Sequence, residues 1–180
     1  PKYLNSPDTP LFKKGQTLFA LDAAREAAAQ HQTLIIVEGY FDAIALHQAG
    51  LRHVAATLGA ALTAEHIAII RRFASNVVLL FDPDAAGVRA ALRSLDLFVN
   101  SGISVTVVSL PAGDDPDTYV RKAGTEGFET LARRAPSLLD FAVEHSLQTA
   151  ASGTVEDRIR AVDAVLRILQ KSSHPIEREE

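Results

Sequence analysis

Apolar runs alternate with amphipathic stretches over the first two thirds of the chain. Residues 33–37, Thr-Leu-Ile-Ile-Val, form a continuous and largely β-branched run, the pattern of a strand buried on both faces. Similar runs occur at 77–81 and 104–109, with a shorter one near 53–56. Between them, helical periodicity predicts helices over 41–48, stopped by Gly50, near 64–73, and from about 85 to 99. Ahead of the first strand, residues 17–30 are Ala-rich and free of Gly and Pro, which predicts another helix. Strand and helix thus take turns four times. That order favours parallel strands joined by right-handed crossovers, an α/β fold of the doubly wound, Rossmann-like type with helices on both faces.

Beyond Pro111 the β signal fades, and 117–123, 126–134, 137–148 and 155–170 read as helices. In the last of these Val155, Ile159, Val162, Val165, Leu166 and Leu169 recur at helical spacing as an apolar stripe. Residues 150–154, small and polar, read as a linker. The chain therefore divides into an N-terminal segment (1–30), an α/β domain (31–124) and a helical subdomain (125–180), with no internal repeat.

Composition narrows the picture. The 180 residues, 47% of them hydrophobic, can bury one good core. No run of about 18 apolar residues could span a bilayer and the start lacks the layout of a signal peptide, so a soluble, cytoplasmic protein with no membrane partner is expected. Without cysteine there is no disulfide and no thiolate zinc site. Without methionine, even at position 1, the chain reads as a piece of a longer protein.

The net charge of −4 argues against a phosphate-binding surface until its distribution is considered. Residues 31–120 hold nine acidic and five basic side chains, so the excess is local. A local excess of carboxylates can hold divalent cations, which then supply the charge that phosphates need.

Those carboxylates fall where an open parallel sheet binds its ligands, past the carboxyl ends of the strands. Glu38 and Gly39 follow the first strand, with Asp42 one turn later. Asp82 and Asp84 follow the strand 77–81, with Pro83 between them, and Asp115 and Asp117 come after the strand 104–109. Each has a plainer reading: Asp84 and Asp115 suit helix N-caps, and Asp42 and Asp117 suit helix dipoles. Together, however, like charges about 4 Å apart repel by roughly 4 kcal/mol at an effective dielectric near 20, a cost that a hard cation removes. Oxygen donors without cysteine point to Mg2+ or Mn2+. The six histidines show no ligand spacing and read as ordinary structure, and Arg71-Arg72 and Arg133-Arg134 read as solvated helix faces. Lys13-Lys14 and Arg121-Lys122 each lie beside a glycine, Gly15 or Gly124. No P-loop, G-x-G-x-x-G or Ser-His-Asp pattern is present.

Glu38-Gly39 after one strand and Asp82-x-Asp84 after a later one resemble the Toprim signature of bacterial primases, topoisomerases, some nucleases and recombination mediators. Further text narrows the likeness: Lys2-Tyr3-Leu4-Asn5-Ser6-Pro7, Lys14-Gly15, Val37-Glu38-Gly39-Tyr40 with Asp42, Leu58-Gly59, and Asp115-Pro116-Asp117-Thr118 with Arg121-Lys122 and Gly124. In order and spacing these resemble the DnaG-type primases, over nearly the whole chain and most specifically through residue 124.

The resemblance implies a Toprim domain and a helical subdomain of a polymerase that makes short RNA primers on single-stranded DNA during replication. Glu38, Asp82 and Asp84 would be the main catalytic, metal-binding acids, with Glu38 as ligand or general base. Asp42, Asp115 and Asp117 would complete the acidic set, which would hold two or more Mg2+ or Mn2+ ions. Lys2, Tyr3, Lys14 and Lys122 would bind nucleotide or template. Implied partners are the single-stranded template, ribonucleoside triphosphates, the RNA primer and, through a domain absent from this chain, the replicative helicase, all in a cytoplasmic, nucleoid-associated replisome. The fragment alone would be weakly active or inactive. Relatives often carry Gly between the two aspartates and a basic residue after the second, whereas this chain has Pro83 and Ala85, so the acids remain but a nearby phosphate contact is not supplied. A Toprim nuclease or topoisomerase fragment, and a non-catalytic module of the same fold, are the rival readings.

Overall fold

The computed structural model describes residues 6–59, 61–81 and 85–152, with positions 154, 159, 163 and 166 beyond them. Four strands, β1 (Thr33–Val37), β2 (Val54–Ala56), β3 (Asn76–Leu80) and β4 (Ser104–Val108), form one sheet in the order β2-β1-β3-β4, every pairing parallel. The connections are α2 (Tyr40–Ala49), α3 (Ala64–Ile70) and α4 (Ala85–Phe98), preceded by α1 (Leu21–His31) and followed by α5 (Pro116–Arg133) and α6 (Leu138–Ser152).

The two-residue period of each strand divides the core. Leu34, Ile36, Val77, Leu79, Val105 and Val107 face α1, α3, α4 and α6, while Ile35, Val37, Val78, Leu80 and Val108 face α2 and α5. This explains why the strands read as unbroken apolar runs: both faces are covered. The α/β fold with helices on both faces is as expected.

Several boundaries differ from the sequence pattern. Helix α1 begins at Leu21, not near 17, because Phe19 pairs antiparallel with Ala56 and Ala20 turns through φ 61°. Leu18 is buried and the Phe19 backbone exchanges both hydrogen bonds with Ala56, at 2.9 and 3.1 Å, so strand-edge pairing overrides helix propensity. The two helices expected over 117–134 are found within α5, on either side of a break at Gly124, whose φ of 69° few other residues adopt. Phe128, beyond that kink, is buried in the same core as β1 and β3. Residues 150–152 of the expected linker are helix, since α6 runs through Ser152 and alanine is a strong helix former. At the other edge of the sheet, Thr106 bridges Ser137, and the Val107 N–H donates to the Pro136 carbonyl. The helix expected over 155–170 falls largely outside the described residues; Ile159, Asp163 and Leu166 are helical and exposed. Among the described residues, no helix is long and apolar enough to cross a membrane.

Candidate active site

Parallel pairing puts all four strand ends at one edge. Val37 lies opposite Leu80, and Leu80 opposite Val108, so β1, β3 and β4 end at the same level. Glu38 leaves β1 there, and its Oε1 is buried. Gly39 follows as the extended N-cap of α2, and its N–H donates to Asp42 Oδ2 at 3.2 Å. A Cβ at position 39 would lie 2.8 Å from that oxygen, so glycine is what lets the Asp42 carboxylate return onto the strand end. Asp42 thus closes the capping box at the start of α2, four residues after Glu38 in the chain.

The β4–α5 loop supplies the next group. Asp114 closes a turn through its N–H on the Pro111 carbonyl (3.1 Å). Asp115 caps α5, accepting the Thr118 N–H at 2.8 Å, with Pro116 in the first turn. Asp117 Oδ1 takes the Arg121 Nε–H at 2.7 Å, and this hydrogen bond, with the carboxylate charge second, raises the Arg121 guanidinium above its ordinary pKa. Lys122 Nζ donates to Asp114 Oδ1 at 2.5 Å. Arg121 and Lys122, of which Lys122 was expected to meet phosphate, are therefore each paired with a neighbouring carboxylate.

Lys14 opens a short 3-10 turn (Lys14–Gln16), and an unassigned histidine fixes that turn. His66 is fully buried in the first turn of α3. Its Nδ1 accepts the Thr63 N–H at 3.3 Å, and its Nε2 reaches the carbonyls of Lys14 (3.0 Å) and Thr17 (3.2 Å). Such bonds require the neutral Nε2–H tautomer. Burial lowers the pKa of His66, against the opposing pull of the two carbonyls and Glu65. Thr63 Oγ1 also donates to the Gly15 carbonyl at 2.6 Å. The sequence signal was Thr63-x-x-His66, a capping box with histidine where Glu or Gln is usual.

Glu38, Asp42, Asp115, Asp117, Lys14 and Lys122 are described; Lys2, Tyr3, Asp82 and Asp84 lie outside the described residues. Among the described residues, no three His, Asp or Glu side chains converge tightly enough to hold an ion.

Residues 35–120 match the family model described as Toprim-like, and residues 139–180 match the DnaB-helicase binding domain of primase. The DNA primase of Clostridium acetobutylicum is 39% identical over 179 residues, 99% of this chain and 30% of that protein. A DNA primase domain from Pseudomonas aeruginosa superposes with a TM-score of 0.83 at 37% identity, over 96% of this chain and 55% of that one. The chain belongs to the bacterial DnaG-type primase family. A DnaG primase catalytic domain bound to ssDNA also superposes on this primase core, with a TM-score of 0.83 at 37% identity over 98% of this chain and 58% of that one. The core thus spans less than a third of the curated relative's length and just over half of the solved domains. The match at 139–180 lies within the chain, whereas the resemblance had implied helicase contact through a domain absent from it.

Proposed function

We propose that this primase core is the metal-binding catalytic part of a polymerase that makes short RNA primers on single-stranded DNA by nucleotidyl transfer. The observation that carries the reading is the Glu38 carboxylate, with a buried oxygen, at the carboxyl end of β1 and level with the end of the adjacent β3, the strand whose sequence runs on to Asp82 and Asp84. An all-oxygen donor set at the carboxyl edge of a parallel sheet suits a hard cation. The residues that would hold it are Glu38, Asp82 and Asp84, with Asp42, Asp115 and Asp117 around them. Two or more Mg2+ or Mn2+ ions there would supply positive charge to the attacking 3′-hydroxyl and the triphosphate.

The protein's own groups have separable tasks. Glu38 would be a metal ligand through its carboxylate or the general base that takes the hydroxyl proton. Asp42, held by the Gly39 N–H, keeps the turn after β1 in place. Asp115 fixes the start of α5. Lys14 and Lys122, with Lys2 and Tyr3, hold the phosphates of nucleotide and template. The division into 1–30, 31–124 and 125–180 is kept as a functional one. The family match at 139–180 supports contact between that last part and the replicative helicase, in the bacterial cytoplasm. With a net charge of −4 and few phosphate ligands, the core alone should grip a strand weakly and prime poorly.

Glu38→Gln tests the reading twice. In a full-length primase carrying this core it should nearly abolish template-dependent ribonucleotide incorporation. In the core itself, Mg2+ or Mn2+ should raise the melting temperature of wild type, as a ligand of the native state must, and should do so much less in the variant. Wild-type incorporation together with an undiminished metal-induced rise would refute the assignment.

A further inference from the structure

Lys122 is restrained by a carboxylate that no metal or capping role accounts for. The Asp114 side chain is 11% exposed and that of Lys122 64% exposed, with 2.5 Å between their charged atoms. Asp114 is the fixed member: its backbone closes the turn from Pro111, it follows Gly113 at φ 89°, and it precedes the capping Asp115. Lys122 is the movable one, a compact charge on a flexible four-carbon stem that lies mostly in solvent. The neighbouring pair Asp117 and Arg121 is exposed at both ends. From 114 to 122 the segment carries three acids and two bases, so an approaching phosphate meets net negative charge.

We propose that Asp114 is a positioning residue that holds Lys122 back from phosphate, and that Lys122 exchanges this carboxylate for a phosphate oxygen when nucleotide or template strand arrives. The inference rests on the proposed reading of Lys122 as a phosphate ligand. The exchange requires no covalent change. An ion pair with one partner in solvent is worth only roughly two- to fivefold in an equilibrium constant, and a phosphate, with more charge and more acceptor oxygens, outcompetes it. Asp114 would thus weaken capture of any single phosphate while keeping the Lys122 ammonium aimed at the loop.

The test is a double-mutant cycle on the core, measuring binding of a fluorescent oligodeoxythymidylate and, separately, of ATP, across a range of salt. Asp114→Asn should tighten binding roughly two- to fivefold. For the oligonucleotide it should also steepen the slope of log affinity against log salt by about 0.7, one more neutralised phosphate. Lys122→Gln should weaken binding, Lys122→Arg should largely restore it, and the Asp114→Asn gain should vanish in the Lys122→Gln background. A gain of equal size in that background would be a general charge effect and would overturn the proposal. Should Lys122→Gln weaken binding while Asp114→Asn does nothing, Lys122 stands as a phosphate ligand and the restraint by Asp114 is wrong. Should Lys122→Gln bind like wild type, the underlying reading of Lys122 fails, and the proposal with it. The Asp115 cap is untouched in all variants, and Asp114→Ser provides a second version should asparagine disturb the turn. Comparing the oligonucleotide and ATP arms tells which ligand brings the phosphate.

Discussion

The Gly39 N–H and the Asp42 carboxylate hold each other across the first turn of α2, at 3.2 Å, in a space that a single methyl group would fill. The contact joins the end of β1 to the start of the helix behind it. The backbone at Gly39, at φ −107°, is open to alanine, so the constraint on this residue is steric contact and not conformation.

Gly39→Ala should therefore push the Asp42 carboxylate away and cost about 1 kcal/mol, the worth of one reverse cap, or about 3 °C in melting temperature for a chain of this size. On the function proposed above, ribonucleotide incorporation by a full-length primase carrying this core should fall far more than this loss of stability explains. Calorimetry and a primer assay on the same variant read the two effects; activity that tracks stability alone would mean that the turn serves only to cap.

His66→Ala should be among the more damaging single substitutions. It removes a buried side chain and leaves the Thr63 N–H and the Lys14 and Thr17 carbonyls without the ring that joins them. A loss of roughly 2–4 kcal/mol is expected, together with faster amide exchange over residues 14–17. Unaltered exchange in that segment would show that the Lys14 turn is held by something else.

His53 makes stability depend on acidity. Burial first, then the nearby charges of His31 and His47, lower its pKa from 6.5 to about 4, and its ring stacks on His31 at 4.6 Å. Above pH 6.5 the ring is neutral in both folded and unfolded chains and contributes no pH dependence. Between about 6.5 and 4 the unfolded chain binds the proton and the folded one does not, so stability falls as pH falls through that window. His53→Gln should flatten this part of a melting-temperature profile; an unchanged slope would assign the dependence to other groups.

Much of this was legible in the sequence. The strands were plain because burial on both faces turns a strand into an unbroken β-branched run, and Thr33–Val37 is found with the expected bounds. The position of Glu38 at a strand end followed directly. Less legible was everything set by partners distant in sequence. Nothing in the alanine-rich stretch announces that Phe19 will pair with Ala56, and nothing near Lys122 announces that Asp114 will bind it. His66 was readable only as a cap, since its hold on Lys14 spans 52 positions. Charge patterning identifies which groups can meet, but the turn at Pro111 decides which of them do.

The single-residue bridges at Phe19 and Ser137 have a consequence for how this protein behaves at high concentration. An open parallel sheet ends in two rows of backbone donors and acceptors, each a template on which another chain can add a strand. Here β2 is short and engaged by Phe19, while β4 is engaged by Ser137 and the Pro136 carbonyl. Segments that read as a helix start and a helix-to-helix turn therefore also act as guards against self-association. A version trimmed to begin after residue 20 and to end before 136 would keep every strand and every described candidate acid, yet would expose both rims and be prone to precipitate.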